Sequence, residues 1–275
     1  MTSTTSLTHD TPHLAEAYDR LSDTQFESGK RLVERLGVKA GDRVLDVGCG
    51  TGRLARWLSE RVGPQGTVVG VDPLPERIAI ASANASGNAG GLSFAVGQAE
   101  NLGAFADESF DAVCLSAVFH WVENKPKALR EIRRVLRPGG RMGVTTVPRE
   151  LIASGTVARV FGPVIGRSPY AERADLSALA VSRGPTVTEL MTLVVESGLE
   201  LTELHVVERM RTLPTGDEVV DFFEASSFGN FFRVVPEELR APLRVDLVAA
   251  LEAQRGADGI LLRDHGTAFV ARRPA

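Results

Sequence analysis

Val44-Leu45-Asp46-Val47-Gly48-Cys49-Gly50-Thr51-Gly52-Arg53-Leu54 is an apolar run that carries an acid, breaks into three alternating glycines and resumes at helical spacing. The pattern predicts a strand, a tight turn and the start of a helix. Glycines have no Cβ, so the backbone N–H groups of such a turn can approach a ligand closely. The dinucleotide fingerprint is G-x-G-x-x-G, with a pyrophosphate on the helix N-terminus. Here the spacing is G-x-G-x-G, and Arg53 stands where that fingerprint has glycine. Asp46 adds a fixed carboxylate at the strand's end. Its charge repels a pyrophosphate and suits a cofactor carrying an ammonium group. A strand–turn–helix that holds no ligand is the bland reading of the same stretch.

Outward from this turn, strands and helices alternate. Strands are predicted at Arg43 to Val47, Thr67 to Val71, Leu92 to Val96, Phe110 to Leu115 and Arg141 to Val147. Helices are predicted at Leu54 to Val62, Pro75 to Ala85 and Pro126 to Leu136, with Gly63-Pro64 and Pro138-Gly139-Gly140 as stops. Upstream, His13 to Leu36 reads as two helices interrupted around Ser22 to Thr24. Downstream, Thr186 to Ser197 is a helix with a start capped by Thr188. Glu200 to Thr212 alternates as strand six, Thr215 to Ser226 and Pro236 to Gln254 are helices, and Gly259 to Arg272 is strand seven, antiparallel beside strand six. The fold class is therefore α/β, a doubly wound, mostly parallel seven-stranded sheet. Pro148 to Pro185 breaks the alternation and reads as a helical insertion, with helices around Ala153 to Ile165 and Ala171 to Ser182. Residues 1–12 read as a disordered tail and 13–275 as one domain, with 148–185 and the helices of 13–36 forming a lid over the substrate.

The 275 residues are 43% hydrophobic and 24% charged, enough for a sizeable core. A net charge of −4 gives no electrostatic case for nucleic acid. The densest basic segment, Arg130, Arg133, Arg134, Arg137 and Arg141, reads as a solvated helix face and the turn after it. Cys49 and Cys114 are the two cysteines, and neither belongs to a C-x-x-C pair. No disulfide framework and no metal site is expected, and a reducing cytoplasm fits. No apolar run reaches membrane-span length, and the Thr- and Ser-rich N-terminus has no apolar core of a signal peptide. Oligomeric state leaves no mark in the sequence.

Val44 to Leu54 resembles motif I of the class I S-adenosylmethionine-dependent methyltransferases. The resemblance implies S-adenosyl-L-methionine as cofactor, with contacts from Asp46, Gly48, Cys49, Gly50 and Gly52. Asp72, before Pro73 at the end of the second strand, is placed to accept from both ribose hydroxyls. Gly97-Gln98-Ala99-Glu100 and Asp107 to Asp111 are similar to the family's "GDAE…DESFD" pattern. The family's adenine-binding acid is replaced by Gln98, whose amide oxygen still accepts a hydrogen bond, and Ala99 contributes backbone. Ser116 ends the fourth strand, where the donor is expected to pass. Tyr18 is expected over the cofactor's methionine end.

The stretch from Phe119-His120-Trp121 to Pro138-Gly139-Gly140 resembles small-molecule carboxyl methyltransferases such as those acting on juvenile hormone acid and trans-aconitate. In the former, a tryptophan here and an N-terminal glutamine hold the substrate carboxylate; Trp121 and Gln25 match. The expected activity is methyl transfer to a small molecule, with O-methylation at a carboxylate or hydroxyl favoured. His120 is the nearest candidate base for an acceptor that must lose a proton. C- or N-methylation of a larger apolar metabolite is the alternative, motivated by Val157, Val160, Phe161, Val164, Ile165, Leu176 and Leu179 in the insertion. A binding or scaffold protein that keeps the fold without catalysis is a third.

Overall fold

Parallel strands covered on both faces are near-continuous apolar runs, and β1 (Arg43–Val47), β2 (Thr67–Asp72) and β4 (Phe110–Ser116) have that character. A computed structural model describes residues 9–85, 91–152, 155–175 and 184–275. With β3 (Gly91–Val96), β5 (Leu136–Thr146), β6 (Glu200–Leu213) and β7 (Ile260–Arg272), these strands form one seven-stranded sheet in the order β3-β2-β1-β4-β5-β7-β6. The pairings from β3 through β5 are parallel, and β7 pairs antiparallel with β5. The mostly parallel sheet expected from the sequence is therefore present. Strand seven lies beside strand six, but it also enters between strands five and six, a placement set by its pairing with β5.

The chain divides into two compact units. One gathers Gln25–Thr146, Pro185–Val206 and Thr267–Ala275. In it α2 (Asp23–Leu36), from Gln25 onward, and α3 (Arg53–Val62) share a core with β1. Leu32, Leu36, Leu54, Ala55, Leu58 and Val62 recur at helical spacing and are buried there. Fully burying a side chain such as Leu58 contributes roughly 1.5–3 kcal/mol. On the other face, α5 (Lys125–Val135) buries Ala128, Leu129, Ile132 and Val135. Asn124 starts that helix by accepting from the Lys127 N–H at 3.0 Å. Then α4 (Pro75–Asn84) follows β2, and α8 (Val187–Glu196) precedes β6. The α8 cap is Thr186, not Thr188. Thr186 accepts from the Glu189 N–H and the Glu189 carboxylate accepts from the Thr186 N–H, a reciprocal box that Thr188 has no glutamate in position to form.

The other unit gathers Met1–Thr24, Val147–Gly184 and Val207–Gly266. It contains α1 (Pro12–Leu21), capped by Thr11, and the four-residue α6 (Arg149–Ile152). Its core is built by α7 (Thr156–Ile165), α9 (Gly216–Ser226) and α10 (Glu237–Glu252) around Phe161, Val164, Val219, Phe231 and Leu247. The insertion's first expected helix is α7. Of its second, residues 171–173 form a turn, and 176–183 lie outside the described residues.

The basic run around α5 does more than face solvent. Arg134 donates to Glu131, to Asp107 and to the carbonyls of Leu102 and Phe105 at 2.8–3.0 Å. Glu131 in turn accepts from the Leu102 N–H at 2.9 Å, and the Arg134 bonds hold its carboxyl below the usual range. Arg137 pairs with Asp111 and Arg141 with Asp42. Arg134 thus fastens to α5 the connection between β3 and β4 that carries Gln98 and Ala99. Replacing Arg134 with Met strips two carbonyls and Glu131 of their donor. We expect a loss of about 2–3 kcal/mol in urea unfolding, with the midpoint lowered and the denaturant slope unchanged.

Candidate cofactor site

The registers bring the chemistry to one edge. Asp46 lies opposite Gly70 of β2 and Cys114 of β4, Asp72 lies opposite Val96, and Ser116 lies opposite Thr145. Strands β1 and β4 are neighbours although their helices lie on opposite faces, so the loops leaving them part at this point. Ligands of open α/β sheets bind in such a crevice, at the carboxyl ends of the strands.

The glycine turn is held from below. Gly48 and Cys49 both donate backbone N–H to the Val71 carbonyl, at 2.7 and 3.0 Å. Gly50 donates to Asp72 Oδ2 at 2.9 Å, and Asp72 Oδ1 accepts from Leu74 N–H at 3.0 Å. Two glycines show why side chains are excluded. Gly48 has φ +75°, and a Cβ there would stand 2.3 Å from Val118 Cγ2. Gly50 has φ +54°, and a Cβ there would meet nothing within 4 Å, so the turn is open on that side. Gly52, also left-handed, begins α3. Beyond β3, Gly97 donates to the Asp72 carbonyl at 3.1 Å, Gln98 is exposed and Ala99 is buried.

Asp46 is 1% exposed. Its Oδ1 accepts from the Cys114 thiol at 3.3 Å, and its Oδ2 is buried with no hydrogen-bond partner. Burial raises its pKa from 3.8 to about 7, opposed by the Cys114 hydrogen bond and assisted by the charge of Asp72. The same burial pushes the Cys49 and Cys114 thiols well above their ordinary value, so neither is a thiolate at neutral pH. A buried acceptor without a donor, beside a turn open to close approach, fits the ammonium-bearing end of S-adenosylmethionine. Asp72 fits the ribose: a carboxylate presents about four lone-pair positions, so holding the turn leaves it able to accept from hydroxyls as well.

On the β4 side the chain turns sharply. Ala117 has φ +59°, a left-handed position rarely taken by a residue with a Cβ. Its N–H is anchored by Thr145, to the side-chain oxygen at 2.9 Å and the carbonyl at 3.1 Å. The turn sets Val118 against Gly48, buries Phe119 and leaves His120 and Trp121 half-buried, with their ring centroids 5.2 Å apart. His120 Nδ1 lies 3.3 Å from Thr146 Oγ1. Thr145 and Thr146 are positioning residues that sequence reasoning missed, and paired threonines at a strand end were the available signal.

Gln25 opens the part of α2 in this unit, and its Oε1 is buried without a partner. The next residue, Phe26, has the Arg53 guanidinium 4.9 Å from its ring centroid, which places this end of α2 beside the start of α3. One turn on, Gly29 passes Leu54 and Ser116: a Cβ there would stand 2.9 Å from Leu54 and 3.1 Å from Ser116 Oγ. The structure therefore gathers Gln25, Asp46, the glycine turn, Asp72, Pro73, Gln98, Ala99, Ser116, His120 and Trp121 into one unit. Tyr18 is in α1 of the other unit, where its phenol acts on the charge of Arg211.

Comparison with known proteins bears on this edge. Residues 45–144 match the family model described as a methyltransferase domain. The methyltransferase GfsG of Streptomyces halstedii is 32% identical over 215 residues, spanning 77% of this chain and 69% of that protein. The ubiquinone/menaquinone biosynthesis C-methyltransferase UbiE of Pseudomonas fluorescens is 32% identical over 206 residues, 70% of this chain and 80% of that one. Among solved structures, the YcgJ protein of Bacillus subtilis superposes with a TM-score of 0.61 at 19% identity, covering 90% of this chain and 99% of that one. The [4+2]-cyclase SpnF gives 0.57 at 22%, covering 91% and 81%. At those identities the structural likeness shows the fold.

Asp46 makes stability depend on pH in a defined direction. Its pKa is raised on folding, so between about pH 4 and pH 7 the folded chain holds more protons than the unfolded one, and stability falls as pH rises through that window. Each tenfold difference in proton affinity between the two states corresponds to about 1.4 kcal/mol. Without cofactor, the wild type should therefore lose about 2–4 kcal/mol between pH 5 and pH 8 relative to Asp46→Asn in urea unfolding. Parallel curves for the two proteins would contradict a buried, proton-binding Asp46.

Proposed function

The chain belongs to the class I S-adenosylmethionine-dependent methyltransferases, and we propose that it methylates a small molecule at oxygen, a carboxylate or hydroxyl. The observation carrying this reading is that one unit holds both Gln25 and the His120 and Trp121 rings, whose centroids are 5.2 Å apart. Amide and indole N–H groups orient an oxyanion without transferring a proton.

The cofactor supplies an electrophilic methyl group, and the rest falls to the protein. Asp46 takes the amino-acid ammonium, the glycine turn admits the chain between, Asp72 holds the ribose, and Gln98 and Ala99 hold the adenine edge. Fixing both ends leaves the methyl carbon one orientation, and such positioning supplies on the order of 7–11 kcal/mol of barrier lowering in favourable cases. A carboxylate is already ionised at neutral pH and needs no base. A hydroxyl must lose its proton, and His120, held through Nδ1 by Thr146, would receive it at Nε2.

Carbon methylation is the second reading, favoured by the 32% identity to UbiE, whose name is that of a C-methyltransferase. The two separate experimentally. Purified enzyme is screened for formation of S-adenosylhomocysteine against organic acids, phenols and enolisable carbon acids, and the methylated atom is located by NMR. For a carboxylate acceptor, His120→Ala should keep kcat within about threefold and the rate should be flat from about pH 6 to about pH 9. For a hydroxyl acceptor, the same variant should lose about 100-fold or more. Methyl carbon bonded to carbon in the product would overturn the O-methylation reading.

A further inference from the structure

Strand β6 presents its faces alternately, and Val206 and Met210 stand on the outward one with Glu208 and Thr212. Met210 is 55% exposed, while Arg209 and Arg211, on either side of it, are half-buried with Val207 and Leu213 on the inner face. Two guanidiniums thus occupy positions where a strand facing a core ordinarily places apolar side chains. The Arg211 guanidinium carbon lies 3.8 Å from the centroid of the buried Phe222 ring, and its Nη1 is buried with no hydrogen-bond partner.

The charges around them do not balance. Asp264 of β7 is the carboxylate that acts on both, and it is acted on in turn by Arg159, Arg209, Arg211 and His265. Asp264 itself lies against Gly155, where a Cβ would stand 2.4 Å from its Oδ1. Three arginines therefore face one carboxylate. Elsewhere in this unit several arginines are paired: Arg167 with Asp246, Arg244 with Asp217 and Asp221, Arg255 with Glu252 and Arg263 with Glu208. Among the described residues, Arg209 and Arg211 have no ion pair within about 4 Å, the reach of a direct salt bridge. A sequence selected for stability alone would pair buried charges before exposed ones, because an uncompensated charge costs far more inside than outside.

We propose that Arg209 and Arg211 form a binding site, within this unit, for the carboxylate or phosphate group of a small organic molecule. Guanidinium forks match both groups bidentately. This site is independent of the methyl-transfer reading. The anion site itself can be tested without cofactor or turnover, so its failure and the failure of that reading are distinguishable.

Thermal unfolding and calorimetry are run on the full chain with sodium benzoate and with inorganic phosphate, at ionic strength held constant with chloride. One or both anions should raise the melting temperature of the wild type, benzoate marking a carboxylate ligand and phosphate a phosphorylated one. Arg211→Met and Arg209→Met should each weaken the binding about tenfold or more. Because each removes a buried unpaired charge, neither should lower the melting temperature of the ligand-free protein. Arg263→Met, at an exposed and paired arginine, should bind as the wild type does. Neither anion stabilising the wild type beyond chloride, or both stabilising the two methionine variants as well as the wild type, would overturn the proposal.

Discussion

The Asp72 carboxylate accepts from two stretches of backbone at once, Gly50 on the glycine turn and Leu74 before α4. The carbonyls of Asp72 and of its neighbour Val71 take three more N–H groups, from Gly48, Cys49 and Gly97. The end of β2 is therefore the post to which the loops after β1 and β3 are tied. Those backbone donors have no helix or ladder partner, and leaving them unmade inside the protein would cost about 1–3 kcal/mol each. The acid that the family resemblance assigns to the ribose is also what shapes the turn that admits the cofactor.

This arrangement explains why the cofactor half was legible. Parallel strands buried on both faces are apolar runs, so β1, β2 and β4 declare themselves. A turn needing left-handed backbone at Gly48 and Gly50 has few sequences open to it. The acids at the strand ends follow from the chemistry of the ligand. The contacts that brace the site were less legible. Thr145 acts on a turn at Ala117, far earlier in the chain, and nothing in a lone alanine announces a positive φ. The place of β7 between β5 and β6 depends on pairing between distant segments, which local periodicity does not encode.

Strand β6 shows a different limit. Its alternation was readable, but a period of two says only that there are two faces. Polarity would place Arg209 and Arg211 outside and Val206 and Met210 inside. The structure reverses this, with Val206 60% exposed. Such an inversion is where sequence and packing disagree, and disagreements of that kind concentrate at functional sites. The buried carboxyl of Asp46 is the counterpart in the cofactor unit: an acceptor held where water is excluded, unfavourable by itself and matched by a cation. Both units thus hold an ionisable group that a ligand of opposite charge would complete.

The central claim is that the edge formed by the glycine turn, Asp46 and Asp72 is the cofactor site. Calorimetric titration of S-adenosylhomocysteine into wild type and Asp72→Ala tests it most directly. One site per chain in the wild type, weakened about 100-fold or more in the variant, is the expected result, since both the ribose acceptor and the tie that shapes the turn are removed. Equal affinity in the two proteins would place the cofactor elsewhere.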